Sequence, residues 1–360
     1  MRVAHTVAAI VIVSTGLLGL QSDPPRATPA APARVPLTLL YDILPSRNAV
    51  DRVTAIGART FYLVYQGCDP QCATTGIINP EAVVNAIEAE TKGRAPLFGM
   101  LDFEDPFSDN LQKGPDSPEG ARAIETMIRT IRAVKARFPD TKWTYYGVPW
   151  LPYWLDKNGW FTATADAKRA ALERATATYA ALVRELDWVS PTVYPKYDPV
   201  VFPEDQRNTI VHEGRAWRTA QVGLAALMAN GKPVIPTLSP YWTPGGRARF
   251  CRVISRSEFL DDQVAPCVEA GATGIALWTA IDHFIGISTD CTGRPFTNEK
   301  NFGPAEWRAA FVADYLDNQV PADWCDPELK QLLLRRASDT IASALQNTRE
   351  WEATLSKSPK

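Results

Sequence analysis

From residue 36 onward, short apolar runs alternate with longer stretches in which apolar and polar residues share a helical period. The runs that read as strands are Val35–Asp42, Thr60–Tyr65, Leu97–Phe103, Lys142–Val148, Trp188–Tyr194, Pro233–Ser239 and Thr273–Trp278. Between them, helices are predicted over Ala49–Gly57, Pro80–Lys92, Pro118–Phe138, Thr164–Leu186, Arg215–Asn230 and Arg256–Ala270. The stretch from Thr164 is rich in strong helix formers and opens with a capping threonine. Ala229-Asn230-Gly231 is a helix stop, because Asn or Gly takes the left-handed position readily. Pro304–Asn318 reads as a further helix packed on the strands, and residues 327–352 as a C-terminal one. Strand and helix alternate about seven times, which predicts a parallel sheet with right-handed crossovers. Closed on itself, this is an α/β fold of TIM-like (β/α) barrel type, with seven parallel strands and a C-terminal helix. No internal sequence repeat accompanies it.

The region before the first strand has a different pattern. Met1 and Arg2 give a short positive start, and Val7 to Leu20 is almost wholly apolar, about the length of a signal-peptide core. Residues 1–21 are expected to be an export signal or an N-terminal anchor. Residues 22–34, rich in Pro and Ala, form a linker with no core-forming pattern. The barrel is expected over 35–325 and a helical extension over 326–360. Six cysteines (Cys68, Cys72, Cys251, Cys267, Cys291 and Cys325) behind an export signal point to disulfides. Six cysteines allow 15 pairings; Cys68 and Cys72 are close enough for a local loop clip, and sequence order suggests Cys251 with Cys267 and Cys291 with Cys325.

Composition narrows the partners. The 360 residues are 46% hydrophobic and 22% charged, with a net charge of −2, so nothing favours nucleic acid. With only His5, His212 and His283 and no second close Cys pair, neither a metal nor a cofactor site is expected. The 11 Trp, 11 Tyr and 13 Phe lean towards carbohydrate, because aromatic rings stack on sugar faces.

The candidate chemistry lies in Leu101-Asp102-Phe103-Glu104-Asp105 at the end of the third strand. Side chains at i and i+2 share a strand face, so Asp102 and Glu104 project together. Two carboxylates that close do not ionise independently, and one pKa rises. An acid kept protonated near neutral pH is what glycosidic cleavage needs. In a (β/α) barrel the site lies at the C-terminal strand ends. Those ends carry Tyr41 and Asp42, the acid pair, Tyr146 with Trp150, Tyr153 and Trp154, then Tyr194, Lys196 and Tyr197, then Tyr241 and Trp242, and finally Trp278. So many aromatic strand ends around an acid pair predict a sugar-binding cleft, with a polysaccharide as partner. Asp282 and His283 follow the last strand, but without a nucleophile elbow they do not make a triad.

The ordered set of strand-end motifs resembles the hyaluronidase family of glycoside hydrolases. Asp102-Phe103-Glu104 stands for its Asp-Trp-Glu, and Tyr146-Gly147-Val148-Pro149 for its Tyr-Gly-Phe-Pro. Pro191-Thr192-Val193-Tyr194 stands for Pro-Ser-Ile-Tyr, and Gly271 to Trp278 matches Gly-Ala-x-Gly-x-x-x-Trp. Tyr41-Asp42-Ile43-Leu44-Pro45-Ser46 echoes the first-strand motif with one extra residue. The resemblance covers roughly residues 36–318 and implies a seven-stranded barrel. It implies that Glu104 is the general acid and that the substrate's own N-acetyl carbonyl is the nucleophile. Asp102 would hold the acetamido group, Tyr146 and Tyr194 would bond around it, and Trp278 would wall its methyl. The Glu-Trp-Arg-Pro stretch that follows the family's acid motif is replaced here by Asp105-Pro106, which marks a distant branch. Lys196, Arg247 and Arg249 are the cations available to a polyanionic substrate, and Lys196 is expected on the Tyr194 face.

The reading is an exported hydrolase of a hyaluronan- or chondroitin-like N-acetylhexosamine polymer, acting by substrate-assisted retaining hydrolysis. Its alternatives are a muramidase or chitinase-like barrel hydrolase, and a non-catalytic carbohydrate-binding barrel. The full chitinase Asp-x-x-Asp-x-Asp-x-Glu run is absent, since Ala95 to Phe98 supply no acids.

Overall fold

The computed structural model describes residues 35–94, 97–151, 160–242, 252–278, 317–319 and 326–355. From Pro36 onward the chain belongs to one compact unit. The predicted signal or anchor, the linker, Tyr153, Trp154, Arg247, Arg249, Asp282, His283, Cys251, Cys291, Cys325 and residues 304–316 lie outside the described residues.

In chain order the elements are β1 (Thr38–Tyr41), α1 (Arg47–Ala55), β2 (Arg59–Thr60), β3 (Tyr62–Tyr65), α2 (Cys72–Thr75), α3 (Pro80–Thr91), β4 (Phe98–Asp102), α4 (Phe107–Gln112) and α5 (Pro118–Arg137). Then come β5 (Lys142–Tyr145), α6 (Ala165–Glu185), α7 (Glu204–Ala229), β6 (Thr237–Leu238), α8 (Ala265–Glu269), β7 (Gly274–Leu277) and α9 (Pro327–Leu355). The strands form two parallel sheets, in the orders β2-β1-β7-β6 and β3-β4-β5. The alternation of strand and helix is therefore realised with parallel pairing.

Local chemistry sets the helix starts. Ser46, Asn79, Ser117 and Thr164 each cap a helix with a side-chain oxygen, and Pro80 and Pro118 occupy first-turn positions where no N–H is needed. α7 stops at Ala229, and Asn230 takes a left-handed φ of 49° as its sequence predicts. Gly99 in β4 is required by packing: a Cβ there would sit 2.2 Å from the Trp143 ring.

Three of the departures from expectation have a local cause. Trp188–Tyr194 makes isolated bridges to Tyr146, Val234 and Thr237 rather than a continuous ladder. Pro191, Pro195, Pro233 and Pro236 have no N–H to give, although carbonyls of Pro191 and Pro233 still accept from Thr237 and Val189. α7 begins at Glu204, well before Arg215, because its first turns are helix-forming but polar and carry no apolar stripe. The expected helix Arg256–Ala270 contains a π-helical segment over Glu258–Val264 before α8. Pro266 cannot bond back to the Asp262 carbonyl, which instead accepts from Arg218 Nη1 at 3.1 Å.

Most of the core lies between the strands and the helices around them. A second, smaller cluster joins Leu40, Phe61, Met100, Trp188, Ile235 and Ala276, one from each strand-forming region except β5. α9 packs on α1, where Arg52 reaches Asp339 at 3.0 Å and Gln346 at 2.7 Å.

No disulfide joins the described cysteines, which corrects the Cys68–Cys72 pairing. The Cys72 thiol is turned into the core and donates to the Gln66 carbonyl at 3.8 Å, while Cys68 stays half-buried. Cys267 is a buried free thiol, so its pairing with Cys251 is not made either. Burial lifts the Cys68 and Cys72 thiols to about 11 and Cys267 to about 12. Alkylation of the unfolded chain without prior reduction is expected to label all three, with Cys72 and Cys267 protected in the native state. A mass spectrum showing Cys68 and Cys72 unlabelled would restore the disulfide.

Candidate active site

The inner cluster fixes which strand residues face inward. Leu40, Met100, Trp188 and Ala276 belong to it. By the two-residue alternation, Asp42, Asp102, Tyr194 and Trp278 then lie on the same face, further along the strands. Asp102 is the last residue of β4, and its Oδ1 is buried with no hydrogen-bond partner. Burial, and secondarily the charge of Glu104, raise its carboxyl to about 8. Phe103 turns the other way, buried edge-on against Phe107 and Tyr145 at ring distances of 5.9 and 6.3 Å. Glu104 is exposed just beyond the strand.

Beside the acids stands an aromatic wall. Tyr194 stacks on Trp278 with centroids 5.4 Å apart and planes 18° apart, and Tyr146 lies 6.0 Å from Tyr194. The Tyr146 hydroxyl meets Thr192 Oγ1 at 3.3 Å. Burial raises the Tyr146 phenol, helped by the charges of Glu104 and Asp102. Burial also raises Tyr194, with Tyr146, Asp102 and Asp42 adding to the effect. The Tyr194 oxygen is buried near the Tyr146 hydroxyl without a well-formed hydrogen bond. Asp42 is buried and its Oδ1 accepts from Ile43 N at 2.7 Å. Lys196 is close enough to Glu104 for that charge to favour its ammonium form, while burial pulls its pKa down more strongly.

Asp42, Asp102, Glu104, Tyr146, Tyr194, Lys196 and Trp278 are thus brought together. Two predicted residues sit elsewhere. Tyr41 alternates with Asp42 and turns to α1, where its phenol bonds Thr54 and is raised mainly by burial. Tyr241 is fully buried and its hydroxyl donates to the Ala337 carbonyl of α9 at 3.3 Å. Tyr241 also pairs antiparallel with Val253, which takes it out of the strand alternation.

Two neighbours were not singled out by sequence. Tyr65 lies directly opposite Asp102 in the β3–β4 register and is half exposed, an aromatic strand end that inspection of the second strand could have found. Gln66 Oε1 accepts from Glu104 N at 2.9 Å and its Nε2 donates to the Asp105 carbonyl at 3.2 Å. A side-chain-to-backbone contact between distant segments leaves no local sequence signal.

The raised Asp102 carboxyl has a thermodynamic signature. Its folded pKa of about 8 lies above the ordinary 3.8. The folded state therefore holds a proton that the unfolded chain releases, and this contribution is complete below about pH 4 and lost as pH rises to about 8. Asp102→Asn is expected to match the wild type in stability at pH 4 and exceed it by about 1–4 kcal/mol at pH 7–8 in urea unfolding. Equal stabilities at both pH values would contradict the buried, protonated acid.

No family model matches the chain, and no curated protein matches it. Among solved structures it is similar to bee venom hyaluronidase, at 14% identity over 83% of this chain and 100% of that one, with a TM-score of 0.46. The same enzyme in complex with a hyaluronic acid tetramer gives 15% identity over 83% and 99%, with a TM-score of 0.47. An endo-1,4-β-D-mannanase from Thermotoga petrophila RKU-1 gives 13% over 79% and 76%, with a TM-score of 0.40. Likenesses this distant do not bear on activity or substrate.

Proposed function

We propose that the protein is a glycoside hydrolase whose two sheets are parts of one seven-position (β/α) barrel. The bridges of Ser190 and Thr192 to Tyr146 and Thr237, and the continuation of β2 into β3 past Phe61, support that closure. More particularly, we propose an exported enzyme that cleaves a polymer of N-acetylhexosamine with help from the substrate's acetamido group. Among the described residues no helix is long and apolar enough to cross a membrane.

The observation that carries this reading is Asp102: a buried carboxyl with an unpartnered Oδ1, held largely protonated at neutral pH, beside the stacked Tyr194 and Trp278. A buried acceptor without a donor is costly, and a substrate amide N–H would satisfy it. The stacked rings offer an apolar face to the acetyl methyl next to that amide. Glu104, exposed to solvent just past the strand end, would serve as the general acid towards the leaving glycosidic oxygen. The acetamido oxygen would attack the anomeric carbon while Glu104 gives its proton to the departing oxygen. Water would then open the cyclic intermediate and return the proton to Glu104.

Lys196 supports an anionic polymer: a cation beside Glu104 would face a uronate in the adjacent sugar unit. Digestion of hyaluronan, chondroitin, chitin and peptidoglycan, with product sizing, tests the reading. Cleavage of an N-acetylated polymer, with its de-N-acetylated form inert, is the expected result. Cleavage of both forms, or a covalent sugar trapped on Asp102, would replace substrate assistance with an enzymic nucleophile.

A further inference from the structure

We infer that Gln66 is a positioning residue for Glu104, fixing the main chain from which the acid projects. The backbone pairing of β3 with β4 ends at Tyr65 opposite Asp102. Glu104 and Asp105 lie past that end, where no ladder orders them. The Gln66 amide takes the ladder's place: its oxygen receives the Glu104 N–H at 2.9 Å and its nitrogen gives to the Asp105 carbonyl at 3.2 Å. From the other side, Ser108 N donates to the Glu104 carbonyl at 2.7 Å, and Ser108 Oγ to Asp105 Oδ1 at 2.9 Å. Glu104 is therefore held at both its N–H and its C=O.

Gln66 is itself anchored. Its carbonyl accepts from Asp69 N at 3.0 Å and from the Cys72 thiol at 3.8 Å. Asp69, buried, accepts through Oδ2 from Asn79 N at 2.7 Å, which ties the turn to the start of α3. The path from the α3 cap to the acid loop thus runs through the side chains of Asp69 and Gln66. A primary amide suits that place because it presents an acceptor and a donor without charge. A carboxylate there would keep the acceptor, lose the donor to Asp105, and add a negative charge beside Asp102, Glu104 and Asp105. Asn would be one methylene too short to span both groups.

The kinetic part of this inference rests on the proposed glycosidase reading, and the exchange part does not. In the full chain, Gln66→Ala is expected to speed amide exchange at Glu104 by roughly tenfold or more while leaving Met100, within β4, unchanged. On a polymer that the wild type cleaves, kcat should fall roughly 10–100-fold with KM nearly constant, the signature of a misplaced acid rather than lost binding. Gln66→Glu should move the alkaline limb of the kcat profile to higher pH, because a nearby negative charge keeps Glu104 protonated longer. Unchanged Glu104 exchange in Gln66→Ala overturns the inference, as does full kcat in an otherwise active enzyme. A wild type that cleaves no polymer overturns the glycosidase reading, and exchange at Glu104 then decides the role of Gln66 alone. If Gln66→Ala does not fold, Gln66→Asn carries the same exchange and kcat tests.

Discussion

Glu104→Gln is expected to lower turnover on the cleaved polymer by roughly 10²–10⁴-fold, the usual worth of a positioned general acid. The substitution keeps the shape of the side chain and removes only the proton. Its backbone contacts to Gln66 and Ser108 are made by main-chain atoms and survive. Binding of an oligosaccharide, measured by calorimetry, should therefore remain within a few-fold of the wild type. Turnover equal to the wild type would remove Glu104 from the mechanism.

The second large effect concerns stability. Asp198 is fully buried and receives Arg252 through two bonds of 2.7 Å. Arg252 also meets Glu258 at 2.9 and 3.2 Å and lies 5.1 Å from the Trp242 ring centre. Burial works against the Arg252 charge, but Asp198 and Glu258 hold its pKa above the usual value. Removing one partner of such a pair leaves a buried charge uncompensated and costs about 3–5 kcal/mol. Arg252→Ala should show that loss in denaturant unfolding near pH 7. Part of it should return in Arg252→Ala/Asp198→Asn, where the orphaned charge is gone. A single-variant loss below about 1 kcal/mol would mean that water reaches Asp198.

These two predictions differ in how far the sequence could support them. Glu104 was readable because Asp-x-Glu follows an apolar run, and strand alternation alone puts both acids on one face. The same alternation, applied strictly, separates Tyr41 from Asp42: if Leu40 and Asp42 face inward, Tyr41 faces α1. Tyr241 escaped that logic because Pro240 and the antiparallel bridge to Val253 end the strand period before it. The parallel α/β alternation was legible in β1, β4 and β7, whose ladders are continuous. It was less so at residues 188–194 and 233–239, where prolines break the bonding but not the apolar pattern. Asp198 and Arg252, 54 residues apart, and Gln66 and Glu104, 38 apart, meet only through tertiary packing. Spacing and composition carry no trace of either pair.

The far end of α9 reaches back to the opening of the fold. Glu352 accepts from Leu37 N at 2.5 Å, Arg349 donates to the Leu37 carbonyl at 3.1 Å, and Arg349 and Glu352 also pair with each other. The two bonds to Leu37 span 315 and 312 residues of chain, so β1 enters its sheet on an anchor that is synthesised more than three hundred residues later. During translation at about 5–20 residues per second, the main-chain groups of Leu37 would wait at least roughly fifteen seconds for those partners. Until α9 has been synthesised, the Leu37 N–H and C=O at the entrance to the first strand lack these side-chain partners and are left to water.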